Sequence, residues 1–245
     1  MAPVNGSRTA AYAAAVQDLA GRLHQALDEG RHSDPVLAAS VRQAGQEQEE
    51  VLAAVRVLGP DALASALLAG VRPHPHDREV LDEVLLVFPL AAGDPVEAAC
   101  LAHAQQQAAQ GCGSDAVGAV EAGDAAQRAF VVQSTAEADW CAWAQHMARL
   151  SPLAWPALPG PVADMARKRE ADVERGLTRA MLRRDYASAA RLARWAALTQ
   201  APGGAGGLDL EPLLRHVTEM AGGAARVLLD AAIARRLLAG RQAQR

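Results

Sequence analysis

Glycine and proline divide this chain into segments of the length that α-helices have in globular proteins. Gly30, Gly59 and Gly70 each follow a segment with helical apolar periodicity, as helix-terminating glycines do. Asp34 followed by Pro35 is typical of a helix start, an N-cap with proline at the first helical position. The pattern predicts helices at about 9–29, 34–58 and 61–69. Further helices are predicted at about 77–88 with Asp77 as N-cap, 94–110, 115–121, 124–132, 135–150, 162–184, 186–200, 211–220 and 224–239.

The residue types favour the same structure. Alanine, the best helix former, accounts for 58 of the 245 residues, and aromatic residues for only 3%. The β-branched and aromatic residues that fill strands are scarce. We therefore expect an all-α fold, a multi-helix bundle of antiparallel helical hairpins. Its size lets it bury a large core without disulfides or metals.

Heptad spacing marks the buried faces of the first two predicted helices. The first carries Tyr12, Val16, Leu19, Leu23 and Ala26, and the second carries Leu37, Val41, Ala44, Gln48, Val51, Val55 and Leu58. Two such seams joined by a short turn predict an antiparallel hairpin packed within the chain. The same seams leave homo-oligomerisation through an intermolecular coiled coil as an alternative.

Charge is distributed unevenly along the chain. Residues 1–150 hold 9 arginines and 19 acidic residues, a net charge of −10, whereas residues 151–245 hold 15 basic and 9 acidic residues, a net charge of +6. Residues 151–161 contain four prolines and cannot form a helix interior. We predict an acidic helical bundle at 1–150, a proline-rich connector at 151–161, and a basic helical segment at 162–245 with a glycine-rich hinge at 203–207.

One stretch resembles a known repeat. In residues 173–202, Asp185 and Tyr186 mark a helix–helix turn, Ala189 and Ala196 lie seven apart on the second helix, and Pro202 follows it. This arrangement resembles a tetratricopeptide hairpin, in which small residues let neighbouring helices approach closely. Leu177 stands where the repeat has a small residue. The resemblance covers a single hairpin and implies an architecture, not a function.

Candidate chemistry is sparse. His74, His76 and Asp77 form a local cluster of metal-ligand types, but prolines surround it and Asp77 is already expected to cap a helix. We treat a metal-dependent enzyme at this cluster as an alternative, predict no metal or other cofactor, and lean against an enzyme. The three cysteines are too scattered for a disulfide framework. The chain lacks a secretory signal pattern and a long apolar run, so we expect a cytoplasmic protein that does not enter a membrane.

The basic C-terminal helices offer the main candidate for binding. Arg175 and Arg179 lie one turn apart, Arg183 extends this row, and Arg191 and Arg194 share a turn of the next helix. Such a row can be a solvated face or an anion-binding patch for an acidic protein surface or a nucleic acid. We interpret the protein as a non-enzymatic helical interaction or regulatory module that binds another protein through these arginines. A nucleic-acid-binding regulator is the alternative.

Overall fold

A computed structural model describes residues 4–88, 95–110, 117–135, 139–200 and 207–243. All the regular structure in these ranges is helical, which confirms the predicted all-α class. Short 3₁₀ turns occupy Gly45–Glu47, Gly59–Leu63 and Ser151–Leu153. The α-helices are Val4–Asp28 (α1), Val36–Ala44 (α2), Gln48–Leu58 (α3), Ala64–Ala69 (α4), Pro75–Val87 (α5), Pro95–Gln110 (α6), Val117–Thr135 (α7), Trp140–Arg149 (α8), Pro161–Lys168 (α9), Glu170–Leu182 (α10), Tyr186–Thr199 (α11), Leu210–Met220 (α12) and Ala225–Ala243 (α13).

The helices pack as a bundle around one continuous hydrophobic core. α1 packs along α3 and α13, α6 along α7, and α11 lies between α10 and α13. Leucine, valine and alanine fill most of this core, together with three fully buried indoles, Trp143, Trp155 and Trp195. The hydrophobic effect of burying these side chains is the main force that holds the bundle together. The bundle predicted from the sequence is thereby confirmed.

The prediction of one helix at 34–58 is wrong. Gly45 has a φ of 57°, a left-handed conformation that glycine adopts without steric cost, and it ends α2. The break shifts the helical phase, so Gln48 is exposed at the start of α3 and not inside a seam. Leu23, Leu37 and Val55 are buried within the chain's own core, as the intramolecular interpretation of the seams predicts.

The remaining helix boundaries also differ from the prediction. The segment predicted as one helix at 61–69 is a 3₁₀ turn, Gly59–Leu63, followed by α4, and the helix predicted at 135–150 is Trp140–Arg149. A break at Arg169 divides the segment predicted as one helix at 162–184 into α9 and α10. Conversely, the helices predicted at 115–121 and 124–132 form one helix, α7, within the described residues. Residues 115 and 116, like residues 203–206 of the predicted hinge, lie outside the described part of the chain.

The proline-rich connector is part of the core. Residues 151–155 are buried, and the Trp155 indole donates a hydrogen bond to Asp61 at 3.0 Å. Helices from both sides of the connector pack on each other, as α1 does on α13. The division into an acidic bundle and a basic segment stays a prediction, but the two parts share one core.

The helices α10 and α11 form an antiparallel hairpin, closed by a turn at residues 183–185. Gly176 of α10 lies against α8: a Cβ built there would come within 2.6 Å of Ala144 Cβ and 3.3 Å of Leu192 Cδ1. Because Gly176 has no side chain, α8, α10 and α11 can pack closely against each other at this point. The tetratricopeptide-like detail of the hairpin stays a prediction.

One stretch in the described ranges, Val36–Ala69, has the length and hydropathy of a membrane span, with a mean hydropathy of 1.7. Of that apolar window, 67% is buried inside the protein. Gly45 and Gly59 also interrupt the stretch with positive φ angles. Burial of this kind is compatible with core helices of a soluble protein.

Candidate functional site

The arginines predicted to bind a partner occupy different environments. Arg175 and Arg179 lie in the C-terminal half of α10 and Arg183 follows its last residue; Arg175 and Arg183 are exposed and Arg179 is half-buried. Arg191 on α11 is half-buried and lies 3.8 Å from Asp230. Arg194 is 0% exposed, so its predicted position on the exposed face is wrong. Its side chain points into the core because α11 packs against α13 on that side.

Trp140 brings an aromatic ring beside this row. Asp139 caps α8 by accepting a hydrogen bond from the Cys141 N–H at 2.8 Å, which fixes Trp140 as the first residue of the helix. The Arg179 guanidinium lies 5.9 Å from the Trp140 ring centroid and donates a hydrogen bond to Cys141 Sγ. The distance from the guanidinium to the ring centroid is within the range of a cation–π interaction. Trp140 and Arg179 together form a ridge across α8 and α10.

A cavity lies on each side of that ridge. The first, of about 370 Å³, has an apolar floor that includes Ala144, Gly176 and Leu192. The second, of about 540 Å³, is shallower and is lined in part by Leu182, whose side chain is 81% exposed. Together these residues form a surface that we call the docking face: Trp140, Arg175, Arg179, Leu182 and Arg183.

Acidic side chains compensate the cations of the docking face only in part. Arg175 pairs with Asp172 at 3.2 Å, but Asp172 also accepts from Arg169 at 2.9 Å. Within the described residues, neither Arg179 nor Arg183 forms an ion pair with an acidic side chain. The carboxylate nearest to them in the cavity, Asp185, accepts from the Ser188 N–H at 3.0 Å and so caps α11. The docking face therefore carries uncompensated positive charge beside apolar surface.

Four buried charged side chains form a separate cluster. Arg194 donates to Asp61 at 2.6 and 2.7 Å and to Asp230 at 2.8 Å. Arg226 donates to Asp61 at 2.6 Å and to Asp230 at 3.0 Å. Two buried arginines and two buried aspartates thus balance each other, which satisfies the requirement that buried charges be paired.

Electrostatics keep this cluster charged. Burial raises the pKa of Asp61, but the attraction of Arg194 and Arg226 outweighs it and brings the pKa down to about 2. Burial likewise lowers the pKa of Arg194, whereas Asp61 and Asp230 raise it further, so the net shift is upward. Since the cluster is closed to solvent, we assign it a structural role. Sequence reasoning missed it because nothing in the sequence shows which charged residues meet inside the fold.

The cluster of His74, His76 and Asp77 does not converge on one point. His74, not Asp77, is the N-cap of α5, and its side chain accepts from the His76 N–H at 3.2 Å. Asp77 is buried and accepts from the Ala38 N–H at 2.9 Å, at the start of α2. Burial raises the pKa of Asp77, while the hydrogen bond from Ala38 acts in the opposite direction. The predicted cap of α5 by Asp77 is therefore wrong, because Asp77 serves another helix.

A metal centre finds no support in the described ranges. No group of three or more histidine, cysteine, aspartate or glutamate side chains there is arranged to hold an ion. His76 contacts Glu79 at 3.2 Å, on the exposed side of α5. The imidazole of His76 and the carboxylate of Asp77 thus have different partners on different helices.

A further polar cluster, which sequence reasoning also missed, joins α6 to α8. Glu97 lies 2.6 Å from His146 Nδ1 and accepts from Arg149 at 2.8 and 2.9 Å. Burial raises the pKa of Glu97, but the hydrogen bonds from Arg149 and His146 produce a net lowering. The cluster anchors the helix that carries Trp140. Glu97 is 49 residues from His146 and 52 residues from Arg149 in the chain, so no local sequence motif predicts the cluster.

Comparisons of the chain with protein-family models, with curated proteins and with solved structures found no match.

Proposed function

We propose that this protein is a non-enzymatic, cytoplasmic interaction module that binds an acidic protein through its docking face. The main observation behind the proposal concerns Arg179 and Arg183, which form no ion pair with an acidic side chain in the described residues. Both lie beside Trp140 and the first cavity, whose floor is apolar. Tryptophan and arginine are the residue types most enriched at the energetic centres of protein interfaces. An exposed leucine, Leu182, adds apolar surface to the same face.

The cavity lining supports binding over catalysis. Its polar side chains include Cys141, Asp185 and Ser188. Cys141 accepts from Arg179, and the Asp185 carboxylate is used in capping α11. A nucleophile needs a general base within hydrogen-bond reach. The lining residues of this cavity include no histidine, and the Asp185 carboxylate is directed at the backbone.

The same charges favour a protein partner over a nucleic acid. A phosphate backbone is bound by several cations in succession. On α10, however, Glu170, Asp172 and Glu174 precede the arginines, so the basic row is short. Individual exposed ion pairs are worth only about 0.2–1 kcal/mol, so apolar contacts at Trp140 and Leu182 must supply much of the affinity.

The test is a comparison of charge-reversed variants. Arg179→Glu with Arg183→Glu should abolish capture of acidic proteins from the native cell, identified by mass spectrometry, that the wild type retains. Arg42→Glu with Arg72→Glu changes the net charge by the same amount at exposed sites elsewhere and should retain them. Circular dichroism and the Tm should be unchanged in both variants.

Two outcomes would overturn the proposal. An Arg179/Arg183 variant that is folded and captures the same proteins would show that the docking face is not the binding surface. Capture that disappears after nuclease treatment, with salt-dependent binding of the pure protein to RNA or DNA, would favour the nucleic-acid alternative instead.

A further inference from the structure

The helix α5 presents an unusual solvent-facing side. Its buried residues, Asp77, Val80, Leu81 and Val84, lie on the face that packs against α2 and α3. Asp82, Glu83 and Leu86 lie on the opposite face, where polar residues are expected throughout. Leu86 is nevertheless 84% exposed, the most exposed large apolar side chain among the described residues. We call the surface formed by Asp82, Glu83, Leu86 and the exposed Val87 the acidic knob.

The carboxylates of the acidic knob have no partners in their own chain. Neither Asp82 nor Glu83 forms an ion pair with a basic side chain in the ranges that the structure describes. Asp82 and Leu86 are one helical turn apart, as are Glu83 and Val87, so each carboxylate neighbours an apolar side chain on the helix surface. The acidic knob thus combines unpaired negative charge with exposed apolar surface.

This combination is the reverse of the docking face. There, Arg179 and Arg183 are also one helical turn apart, and both lie beside an apolar-floored cavity of about 370 Å³. The spacing of about 5–6 Å between side chains one turn apart is the same on both surfaces. The opposite charges of the two surfaces also attract each other at longer range.

We propose that the acidic knob of a second copy of this chain occupies the docking face. This inference rests on the proposed function and narrows its acidic partner to the protein itself. Leu86 of one copy enters the cavity beside Trp140 of the other, and Asp82 and Glu83 meet Arg179 and Arg183. The contact is intermolecular because α5 packs on α2, α3 and α6, whereas the docking face is on α8 and α10.

A contact between two different surfaces has a defined consequence for assembly. A dimer formed by one such contact still has one unused acidic knob and one unused docking face, so further copies can add head to tail. A helix end in a shallow cavity buries less than the area of a standard protein interface, so the association is weak. Because ion pairs at its rim are exposed, it weakens further as salt rises.

The experiment measures average mass against concentration by analytical ultracentrifugation, in low and high salt. The wild type should exceed the monomer mass at high concentration in low salt and return towards it in high salt. Two variants should each weaken self-association at least about tenfold, since each removes the centre of the contact. One is Arg179→Glu with Arg183→Glu, and the other is Asp82→Asn with Glu83→Gln and Leu86→Asn.

Mixing the two variants gives the decisive result. The first retains an intact acidic knob and the second an intact docking face, so one productive contact can form between them. The mixture should therefore give a dimer that grows no further. Glu219→Gln with Met220→Asn removes an exposed acidic and an exposed apolar residue from α12 and should self-associate like the wild type. Circular dichroism checks that each variant is folded.

A wild-type protein that stays monomeric at the highest concentration would overturn the inference, and so would folded variants that fail to complement each other. Neither result removes the proposed function. In that case the partner of the docking face is another acidic protein. The capture experiment with the Arg179/Arg183 variant tests binding of such a protein independently of self-association.

Discussion

Arg194 donates two hydrogen bonds to Asp61, one to each carboxylate oxygen, across 133 residues of sequence. Both side chains are fully buried. The pair joins the 3₁₀ turn at 59–63 to α11, and Arg226 and Asp230 extend the connection to α13. A single carboxylate thus links the predicted acidic part of the chain to the predicted basic part.

Replacing Asp61 with Asn should lower the free energy of unfolding by about 3–5 kcal/mol, because removal of one partner leaves buried charge uncompensated. Urea denaturation followed by circular dichroism measures the change. Asp164→Asn is the matched control, since Asp164 pairs with Arg167 at 2.6 Å on the surface. It should cost less than about 1 kcal/mol. Equal losses in the two variants would contradict a special role for the buried pair.

Acid should remove part of the stability that Asp61 contributes. The pKa of Asp61 is lowered from 3.8 to about 2 in the folded protein, so the folded state favours the charged carboxylate. This contribution is complete above pH 3.8 and is lost as the pH falls towards 2. The difference in unfolding free energy between the wild type and Asp61→Asn should therefore shrink by about 2 kcal/mol over that window. A constant difference would show that the carboxylate is not selectively stabilised.

The start of α2 should depend on Asp77 and not on Asp34. Asp77→Ala removes the carboxylate that accepts from the Ala38 N–H and should cost about 0.5–2 kcal/mol. The sequence pattern predicts Asp34 as the cap, but no side chain next to the N-terminus of α2 forms a capping hydrogen bond, so Asp34→Ala removes no such bond. It should cost less than about 0.5 kcal/mol. Thermal or urea unfolding of both variants distinguishes the two, and the reverse order would restore the sequence-based assignment.

Gly176→Ala should destabilise the protein by about 1–3 kcal/mol, because the added methyl group overlaps Ala144 and Leu192. Gly240→Ala is the control within another helix, α13, where a Cβ would meet nothing within 4 Å. There the change should stabilise by up to about 1 kcal/mol, the helix-propensity advantage of alanine over glycine. Urea midpoints give both values. Stabilisation by both substitutions would contradict the close contact of α8 with α10.

Local signals in the sequence predict much of this fold. Helix ends at Gly30 and Gly59 and the helix–helix turn at Asp185 depend on nearby residues only, and the structure places them as expected. Gly45 was missed because the heptad spacing in the sequence continues across it, from Val41 and Ala44 to Gln48 and Val51, although the structure breaks the helix there. The break between α9 and α10 at Arg169 was missed because neither glycine nor proline marks it.

The candidate site could be predicted only in part. Arg175, Arg179 and Arg183 lie on one side of α10 and of the turn that follows it, which helical spacing alone indicates. That Trp140 lies beside them depends on the packing of α8 against α10, which has no sequence signal. Arg194 was assigned to the surface because charged residues are mostly solvated. Its burial depends on aspartates 36 and 133 residues away.

The contact between Asp77 and the start of α2 also bears on synthesis. During translation the residues of α2 leave the ribosome before Asp77 does, so the nascent helix lacks the carboxylate that completes its first turn in the finished protein. A helix of nine residues is too short to persist in water by itself. The first turn of α2 can therefore complete its hydrogen bonds only after residue 77 has been synthesised, so a shorter chain would lack this contact.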